Sequence, residues 1–537
     1  MREIIHLSFS TLSNHLSTHF FNAQDYYLNL DHDGSSGPVD HNVTFRSGIA
    51  SDGSTETYTP RCLLWELKGG YGSLKKYNEL YDWNSENVTP SGVVRIEQPR
   101  IQQNEYIKSL DTGTGSLNYL TPANTLYWSD YCNVFHHPRS LLQLSSWEYD
   151  PIQAPKGRVM GTSSNASSTT SGGAATSRVQ QFTGFDTGEQ EFYSHDRDHD
   201  GAGSAGLESN FRLLLEECDL ISGLNVITNV DSAWGGFSVA AMNELRDEYL
   251  PKTSVFVWGL QDGTPLDRAA QYSRIRTEAG LIPVSTMYIP LCLPSSPATL
   301  INKFLPADRT SSFDPSSPWH VAGLLAAGFE TLTMPTRLRK LATTASKARY
   351  ESLAEIAAQV SGNGTRTVAG DVAVGIGHGL LAMGSTNAIN RAHMSKQDRR
   401  KAEARTGGHT FAKFAVVRGN DDDDDDDKNT TQSLDRLWDS YVDESRLRDE
   451  KTVLCRRNLP GLAFPEPASF PPFLHHAPDM FASMTTSSVT RHQFSDMNDF
   501  VSRYVRSDDR EQLKDQIETL ESEYEYGWSD QSFDDSD

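Results

Sequence analysis

The residues with the clearest spacing for chemistry lie in a strand–turn–helix pattern at residues 224–249. An apolar run, LNVITNV, predicts a buried strand, and a turn with Gly235 and Gly236 separates it from a helix-like run. Such a turn can hold a phosphate, because glycines let backbone N–H groups converge on anionic oxygens at a helix start. Asp231 and Trp234 oppose this function by negative charge and by bulk. Two interpretations stay open: a working nucleotide loop, or a turn that only packs.

Two other stretches resemble binding loops and have simpler explanations. Residues 195–201 (HDRDHDG) begin like a calcium loop, but position twelve of that loop is Leu207, and the glutamate comes one residue late, at Glu208. Residues 375–379 (GIGHG) lack the spacing of a dinucleotide fingerprint and predict a turn. Neither stretch predicts a ligand.

The cysteines and histidines show no disulfide framework and no zinc pattern. His136 and His137 have no carboxylate or cysteine at ligand spacing, which favours structural roles. The cysteines are odd in number, far apart and without a CxxC pair, which suits a reducing compartment. They are Cys62, Cys132, Cys218, Cys292 and Cys455.

The net charge of -23 disfavours general binding to nucleic acid or to an anionic membrane. A basic run at residues 391–405 allows a nuclear signal or a nucleic-acid patch. The seven aspartates at residues 421–427 favour a solvated, self-neutralising insert instead. From Asp515 onward the chain holds nine acidic residues and no Lys or Arg.

The N-terminus, MREIIHLSFS, lacks the pattern of a secretory signal and of a mitochondrial presequence. No apolar run approaches the ~20 residues that a membrane helix needs. We therefore expect any membrane association to be peripheral. Apolar residues make up only 37% of the chain, which predicts disordered segments. We place them at residues 161–206, at residues 386–435 and in an acidic tail at residues 511–537.

Strand-like and helix-like segments alternate through the first half of the chain. Residues 3–9, 61–67 and 254–260 are short apolar runs typical of buried strands. Residues 16–23 and 207–218 have helical spacing. This alternation predicts an α/β fold with a parallel sheet.

Several segments, in the right order, resemble tubulins. Residues 1–15 (MREIIHLSFSTLSNH) resemble the first strand and first nucleotide loop, and residues 57–70 (TYTPRCLLWELKGG) resemble the pattern Y-x-P-R followed by D-L-E-P-G. Residues 216–249 resemble the tubulin segment around the signature GGGTGSG. Residues 128–140 (WSDYCNVFHHPRS) and 330–338 (ETLTMPTRL) are similar to the misato family of divergent tubulin-like proteins.

The resemblance implies a tubulin/FtsZ-like α/β fold, a parallel-sheet nucleotide domain with degenerate loops. It implies a misato segment II tubulin-like region at residues 1–120 and a misato/tubulin-like domain at residues 121–310. A C-terminal region would follow at residues 311–510, before the acidic tail.

The nucleotide loops depart from the tubulin pattern. Serines replace two glycines of the first loop, a lysine replaces the acid that helps to hold magnesium in the second, and DSAWGGF replaces GGGTGSG. The tubulin asparagine that reads guanine has no clear counterpart near Arg276. The candidate nucleotide-loop residues are Ser10, Ser13, Asn14, Lys68, Asp231, Gly235 and Gly236. These losses predict no enzymatic activity, no metal site and no cofactor, although weak GTP binding stays open.

The resemblance also implies a function. Fungal misato-type proteins act in mitochondrial distribution and morphology and in the inheritance of mitochondrial DNA. We therefore expect a protein of the cytoplasm and the outer mitochondrial surface, with cytoskeletal or chaperonin partners and no direct contact with nucleic acid. Two alternatives stay open: a GTP-binding switch related to tubulin, and a spindle or cytoskeleton factor linked to tubulin or chaperonin.

Overall fold

A computed structural model describes the following residues: 2–30, 37–50, 53–74, 101–113, 119–149, 151, 182–194, 203–261, 266–293, 313–339, 350–362, 365–376, 379–384, 409–419, 452–460, 462–475, 480–506 and 509–526. The stretch at residues 195–201, which begins like a calcium loop but predicts no ligand, lies outside them. The basic run at residues 391–405 and the aspartates at residues 421–427 lie outside them as well.

The first half of the described chain alternates strands with helices. Its strands are β1 (Glu3–Phe9), β2 (Phe45–Ile49), β3 (Glu56–Pro60), β4 (Cys62–Lys68), β5 (Leu141–Glu148), β6 (Ile221–Asn229), β7 (Val255–Gln261) and β8 (Met287–Cys292). Its helices are α1 (Thr11–Leu30), α2 (Glu105–Asp111), α3 (Phe185–Tyr193), α4 (Ser204–Glu216), α5 (Ala233–Glu244) and α6 (Arg268–Val284).

The second half adds helices and mostly antiparallel strands. The helices are α7 (Pro318–Thr333), α8 (Leu353–Ser361), α9 (Val489–Tyr504) and α10 (Arg510–Glu523). The strands are β9 (Asp371–Ile376), β10 (Gly379–Ala382), β11 (Thr410–Gly419), β12 (Val453–Pro460) and β13 (Met480–Ser487).

The first sheet is parallel, as the alternation predicts. Six strands pair in the order β5-β4-β1-β6-β7-β8, and every pair runs parallel. Strands such as β7 are buried along their whole length, because helices cover both faces of the sheet. The expected α/β fold with a parallel sheet is confirmed.

Alternate residues of each strand supply two apolar cores. On one face, Ile4 and Leu64 pack with residues of α1 and α7. On the other, Leu7 and Trp65 pack with residues of α3, α5, α6, α9 and α10. This alternation follows from the two-residue period of a strand. The parallel strands thereby direct their carboxyl ends, and the loops that follow them, to a single edge.

The second sheet corrects the expectation of disorder across residues 386–435. Its order is β10-β9-β13-β11-β12, with β11 between two neighbours. The sequence of β11, TFAKFAVVRG, is buried over eight of its ten residues. Because charged segments flank this apolar run on both sides, the average composition of residues 386–435 is polar. The expectation that these residues are disordered is therefore wrong for Thr410–Gly419.

Two further expectations of disorder are wrong in part. The predicted insert at residues 161–206 contains α3, which buries Phe185 and Phe192. The predicted tail at residues 511–537 begins with most of α10, which buries one apolar residue per turn and is followed by the buried Tyr524. Both helices are amphipathic, so their buried residues show only at helical spacing and not in the composition of the segment.

A buried charged cluster joins β11 of the second sheet to α1 and α7, which pack on the first sheet. Arg418 on β11 forms an ion pair with Glu330 on α7 and donates a hydrogen bond to the hydroxyl of Tyr27 on α1. Arg337 pairs with the same Glu330 at 3.0 Å. The side chains of the two arginines and the glutamate are at most 1% exposed. Each therefore depends on the others for its solvation.

Candidate functional site

The candidate site lies at the edge where β1, β4 and β6 end. The first loop follows β1 and contains Ser10, which has a φ of 135°, the only positive φ outside glycine in the described residues. Its Oγ accepts a hydrogen bond from the Ser13 N–H at 3.1 Å and lies 2.6 Å from the Ser13 Oγ. Ser13 in turn donates to the Phe9 carbonyl at 3.2 Å. The two serine hydroxyls thus satisfy each other and the backbone at the start of α1.

Asn14 ties the first loop to the second. Its amide nitrogen donates to the Trp65 carbonyl at 2.8 Å and to Glu66 Oε2 at 2.9 Å, and its amide oxygen accepts from Ser8 at 2.7 Å. Thr11 donates to Glu66 Oε1 at 2.7 Å. Burial raises the pKa of Glu66, and the bonds from Thr11 and Asn14 act in the opposite direction.

Glu66 is a site residue that the sequence did not single out. It is fully buried although it lies near the end of a strand, and neutral donors surround its carboxylate. Its side chain also lies where a Cβ on Gly70 would fall, at 2.6 Å from the Glu66 Cδ. An acidic residue inside the apolar run CLLWELK is the signal that would have indicated it.

The structure places Lys68 outside this cluster. Its Nζ lies 3.4 Å from the carboxylate of Glu148, its neighbour across β4 and β5. Both side chains are exposed, at 41% and 53%. Lys68 therefore forms a surface ion pair and is separate from the buried polar groups of the loops.

The third loop places Asp231 in an ion pair within the protein. Arg274 on α6 forms a two-pronged contact with the Asp231 carboxylate, with Nη2 to Oδ2 at 2.9 Å, and both side chains are buried. Burial alone would lower the pKa of Arg274, but the carboxylate raises it overall. The negative charge of Asp231, which from the sequence alone opposes phosphate binding, is thus neutralised by Arg274. The sequence analysis did not identify Arg274.

The glycines of the third loop serve close packing between helices. A Cβ on Gly235 would lie 2.1 Å from the Thr277 Oγ1, and one on Gly236 would lie 2.0 Å from the Phe185 carbonyl oxygen. On α3, a Cβ on Gly188 would lie 1.7 Å from the Ala233 carbonyl oxygen. The first turn of α5 is therefore flanked by α3 and α6 at distances that only glycine allows.

Aromatic side chains surround the same turn. Trp234, only 4% exposed, packs against Phe182 at 5.1 Å and against Phe237 at 5.8 Å between ring centroids. Trp147 on β5 extends the cluster through Phe182, again at 5.1 Å. Trp234 therefore contributes to the core beside the loop.

A second buried acid lies beside the Asp231–Arg274 pair. Glu278 accepts hydrogen bonds at Oε1 from Gln261 at 2.5 Å and from the Tyr288 hydroxyl at 3.0 Å. Burial raises the pKa of Glu278 to about 7, although Arg274 acts in the opposite direction. This network joins the last residue of β7 and the second residue of β8 to α6.

The remaining candidates have structural positions. His136 is buried between two thiols, with Nδ1 3.6 Å from the Cys62 sulfur and Nε2 3.6 Å from the Cys132 sulfur. One metal ion cannot contact both nitrogens of one ring, and the described residues hold no group of three or more metal-binding side chains.

Residues 375–379 link the antiparallel strands β9 and β10, with 377–378 outside the described residues.

Arg276 also has a packing role. It forms an ion pair with Asp186 and lies over the Phe185 ring at 4.1 Å, so it holds α3 on α6. Within the described ranges, no helix is both long and apolar enough to cross a bilayer.

The parallel sheet, with its three loops at one edge, is the architecture of a tubulin-like protein. Residues 2–112 match the Misato Segment II tubulin-like domain, and residues 173–338 match the Tubulin domain. Both matches fall on the elements that carry the loops.

Comparison with curated proteins gives the family. Protein DML1 of Yarrowia lipolytica is 31% identical over 549 residues, which cover 100% of both chains. Protein dml1 of Aspergillus niger is 30% identical over 558 residues, again 100% of both. Protein DML1 of Gibberella zeae is 36% identical over 379 residues, 69% of this chain and 66% of the relative. This chain belongs to the DML1 family of misato-type tubulin-like proteins.

Proposed function

We propose that this chain is a non-enzymatic tubulin-like scaffold that binds protein partners and acts in mitochondrial distribution, morphology and inheritance. The observation that supports a non-enzymatic role is the pairing of Asp231 with Arg274. In a phosphate loop, positive charge is directed at the ligand. Here the guanidinium of Arg274 donates two hydrogen bonds to Asp231, a carboxylate of the loop itself, and is not directed at a ligand.

The other two loops support the same proposal. The hydroxyls of Ser10 and Ser13 and the amide of Asn14 are bonded to protein atoms. Nucleotide binding would have to replace these bonds and displace packed helices. Such a displacement would leave buried polar groups unpaired, at about 1–3 kcal/mol for each.

The mitochondrial part of the proposal is supported by family membership and by what the misato resemblance implies. We propose a location in the cytoplasm and on the outer surface of mitochondria, by peripheral association through protein partners of the cytoskeletal or chaperonin type. The net charge of -23 argues against direct contact with mitochondrial DNA. Its role in DNA inheritance would then follow from its role in mitochondrial partitioning.

Calorimetry tests the non-enzymatic part. The purified full chain is titrated with GTP and with GDP in the presence of Mg²⁺, with tubulin as the positive control. We expect no heat of binding from this chain. Binding in the micromolar range would overturn this part of the proposal.

One observation favours a nucleotide switch as the second candidate. Helix α5 begins without a side-chain cap, and the buried Ser232 hydroxyl beside it has no hydrogen-bond partner among the described residues. A helix start of this kind can accept an anion. GTP binding that the substitution Ser232→Ala weakens would support this candidate.

Cell fractionation tests the mitochondrial part. We expect the tagged chain to sediment with mitochondria and to be released by a high-salt wash, as a peripheral protein is. Deletion of the gene should alter mitochondrial distribution. Recovery with tubulin or chaperonin alone, and none with mitochondria, would contradict this part and favour a cytoskeleton factor.

A further inference from the structure

We propose that α10 (Arg510–Glu523) is a displaceable, autoinhibitory helix, and that the groove beneath it receives an amphipathic helix of a partner protein. The inference rests on the proposed scaffold function and names the chemical class of the partner. Helix α10 packs mainly against α9 and α6, and it is the last helix of the described residues. We call the surface that α9 and α6 present to it the α10 groove.

The contact between α10 and its groove is apolar and regular. Leu513, Ile517 and Leu520 are buried at intervals of four and three residues, and the buried Tyr524 follows four residues later. These side chains belong to one apolar cluster with residues of α9 and α6. The Tyr524 ring lies 5.8 Å from the Phe494 ring of α9 between centroids. An amphipathic helix that binds in a groove of another protein uses this spacing.

The ion pairs and side-chain hydrogen bonds between α10 and α9 are weak. Arg491 on α9 approaches Glu521 and Glu525 at 3.4 Å each, and its side chain is 42% exposed. Asn498 on α9 donates to Glu518 Oε1 at 3.2 Å, at an exposed position. Exposed pairs of this kind contribute little to stability, because water and salt screen them. They would therefore do little to hold α10 in place against a competing helix.

Buried polar atoms at this contact lack hydrogen-bond partners among the described residues. They are Asn498 Oδ1, Glu523 Oε2 and Arg366 Nε. Burial raises the pKa of Glu523 and the nearby Arg366 opposes that rise, yet neither of these two atoms is hydrogen-bonded. An unpaired buried polar atom destabilises the contact that buries it. Helix α10 therefore fits its groove imperfectly, and a helix with suitable polar side chains would fit it better.

Tyr524 makes a firm polar contact just after α10. Its hydroxyl accepts a hydrogen bond from the Val368 N–H at 2.7 Å and donates one to the Val368 carbonyl at 3.2 Å. Together with the apolar spacing, this contact defines the partner helix. It carries apolar residues at positions i, i+4 and i+7, a tyrosine at i+11, and acidic residues that reach Arg491.

The unpaired atoms favour a partner protein over a second copy of this chain. Exchange of α10 between two copies would place the same helix in the same groove, and Asn498 Oδ1 and Glu523 Oε2 would stay unpaired. A partner helix with an amide in place of the Glu518 carboxylate could donate to Asn498 Oδ1. Such a helix would form a hydrogen bond that α10 lacks.

Hydrogen exchange tests whether α10 leaves its groove in the wild-type full chain. A helix that opens by itself exposes its amides more often than the rest of the fold does. We expect the amides of α10 to exchange about tenfold faster or more than those of α9, after correction for intrinsic rates. Equal protection of the two helices would overturn the proposal, because the groove would then open only when α9 unfolds as well.

Fluorescence anisotropy tests the binding itself, again on the full chain. The probe is a labelled synthetic peptide of residues 509–526, which stands for the partner helix. The wild-type chain should bind it poorly, because its own α10 is present at a high effective concentration. Ile517→Asp buries a charge in the contact, weakens the resident α10 and should raise the affinity for the probe about tenfold or more. Gln516→Asp adds the same charge at an exposed neighbour and should bind as the wild type does.

A second probe distinguishes a partner helix from a second copy of this chain. In a peptide with Glu518→Gln, the amide can donate to Asn498 Oδ1. The Ile517→Asp chain should therefore bind this peptide about threefold to tenfold more tightly than the first probe. Equal or weaker binding would mean that α10 already fits the groove best, and it would assign the groove to a second copy instead.

Two further results would overturn the proposal. One is a folded Ile517→Asp chain that binds the first probe no better than the wild type does. The other is loss of the whole fold in this variant by circular dichroism, because α10 would then be part of the core. The fractionation of the wild type with mitochondria is independent of these assays. If it succeeds and the peptide assays fail, only the α10 groove is wrong.

Discussion

Protonation of Glu278 offers a quantitative test of the buried network beside the third loop. Its pKa is raised from 4.5 to about 7 in the folded chain, because burial disfavours the carboxylate. Between these values the folded state binds more protons than the unfolded state does. The free energy of unfolding must therefore fall as the pH rises from about 4.5 to about 7, and it stays lowered above that.

The size of this effect follows from the shift. Each pKa unit corresponds to about 1.4 kcal/mol, so a shift of this size amounts to about 3 kcal/mol of stability lost across the window. The substitution Glu278→Gln keeps an oxygen for the Tyr288 and Gln261 hydrogen bonds and removes the titration. We expect the variant to match or exceed the wild type in stability at pH 8 and to lose its advantage near pH 5.

Urea unfolding at pH 5, 6, 7 and 8 measures this difference. The useful quantity is the gap between wild type and variant at each pH, because other groups contribute equally to both. Glu511→Gln on the exposed face of α10 is the matched control and should show no gap. A constant gap between Glu278→Gln and wild type at all four pH values would refute the reasoning.

Three more substitutions test the packing of the loops and of the sheets. Arg274→Met leaves Asp231 buried without its partner and should lower the free energy of unfolding by about 3–5 kcal/mol, most of which Asp231→Leu/Arg274→Met should recover. Gly236→Ala places a Cβ 2.0 Å from a carbonyl oxygen of α3 and should cost about 1–3 kcal/mol in the same urea assay. Arg418→Met leaves Glu330 with one arginine in place of two and should cost about 3 kcal/mol, with both sheets unfolding in one transition.

Each of these has an outcome that contradicts it. A stable Arg274→Met chain would mean that Asp231 reaches solvent. An unchanged urea midpoint for Gly236→Ala would mean that α3 can move away from α5. Gly48→Ala is the matched control, because its Cβ would meet only the Thr57 hydroxyl at 3.1 Å and should change the midpoint little. Separate transitions for the two sheets in Arg418→Met would contradict the expected single transition.

The local sequence predicted the first sheet well. Short apolar runs predicted the strands β1, β4 and β7. Glycines predicted the turn after β6. It predicted the second sheet poorly, because β11 lies between charged stretches and pairs with strands distant in sequence. Composition also predicted disorder at α3, which follows a stretch rich in Ser, Thr, Gly and Ala, and at α10, which lies in an acidic segment, since the buried faces of both helices show only at helical spacing.

The sequence by itself determined the fold class, the family and the loss of the tubulin glycine pattern, since these depend on residue types at particular positions. The tertiary structure decided what replaced that pattern. Arg274, Glu66, Thr277 and Phe185 are distant in sequence from the loop residues that they contact, and nothing in local spacing indicates which of them will meet. Charge neutralisation and close packing depend on distances of a few ångströms across elements, and only the folded chain sets those distances.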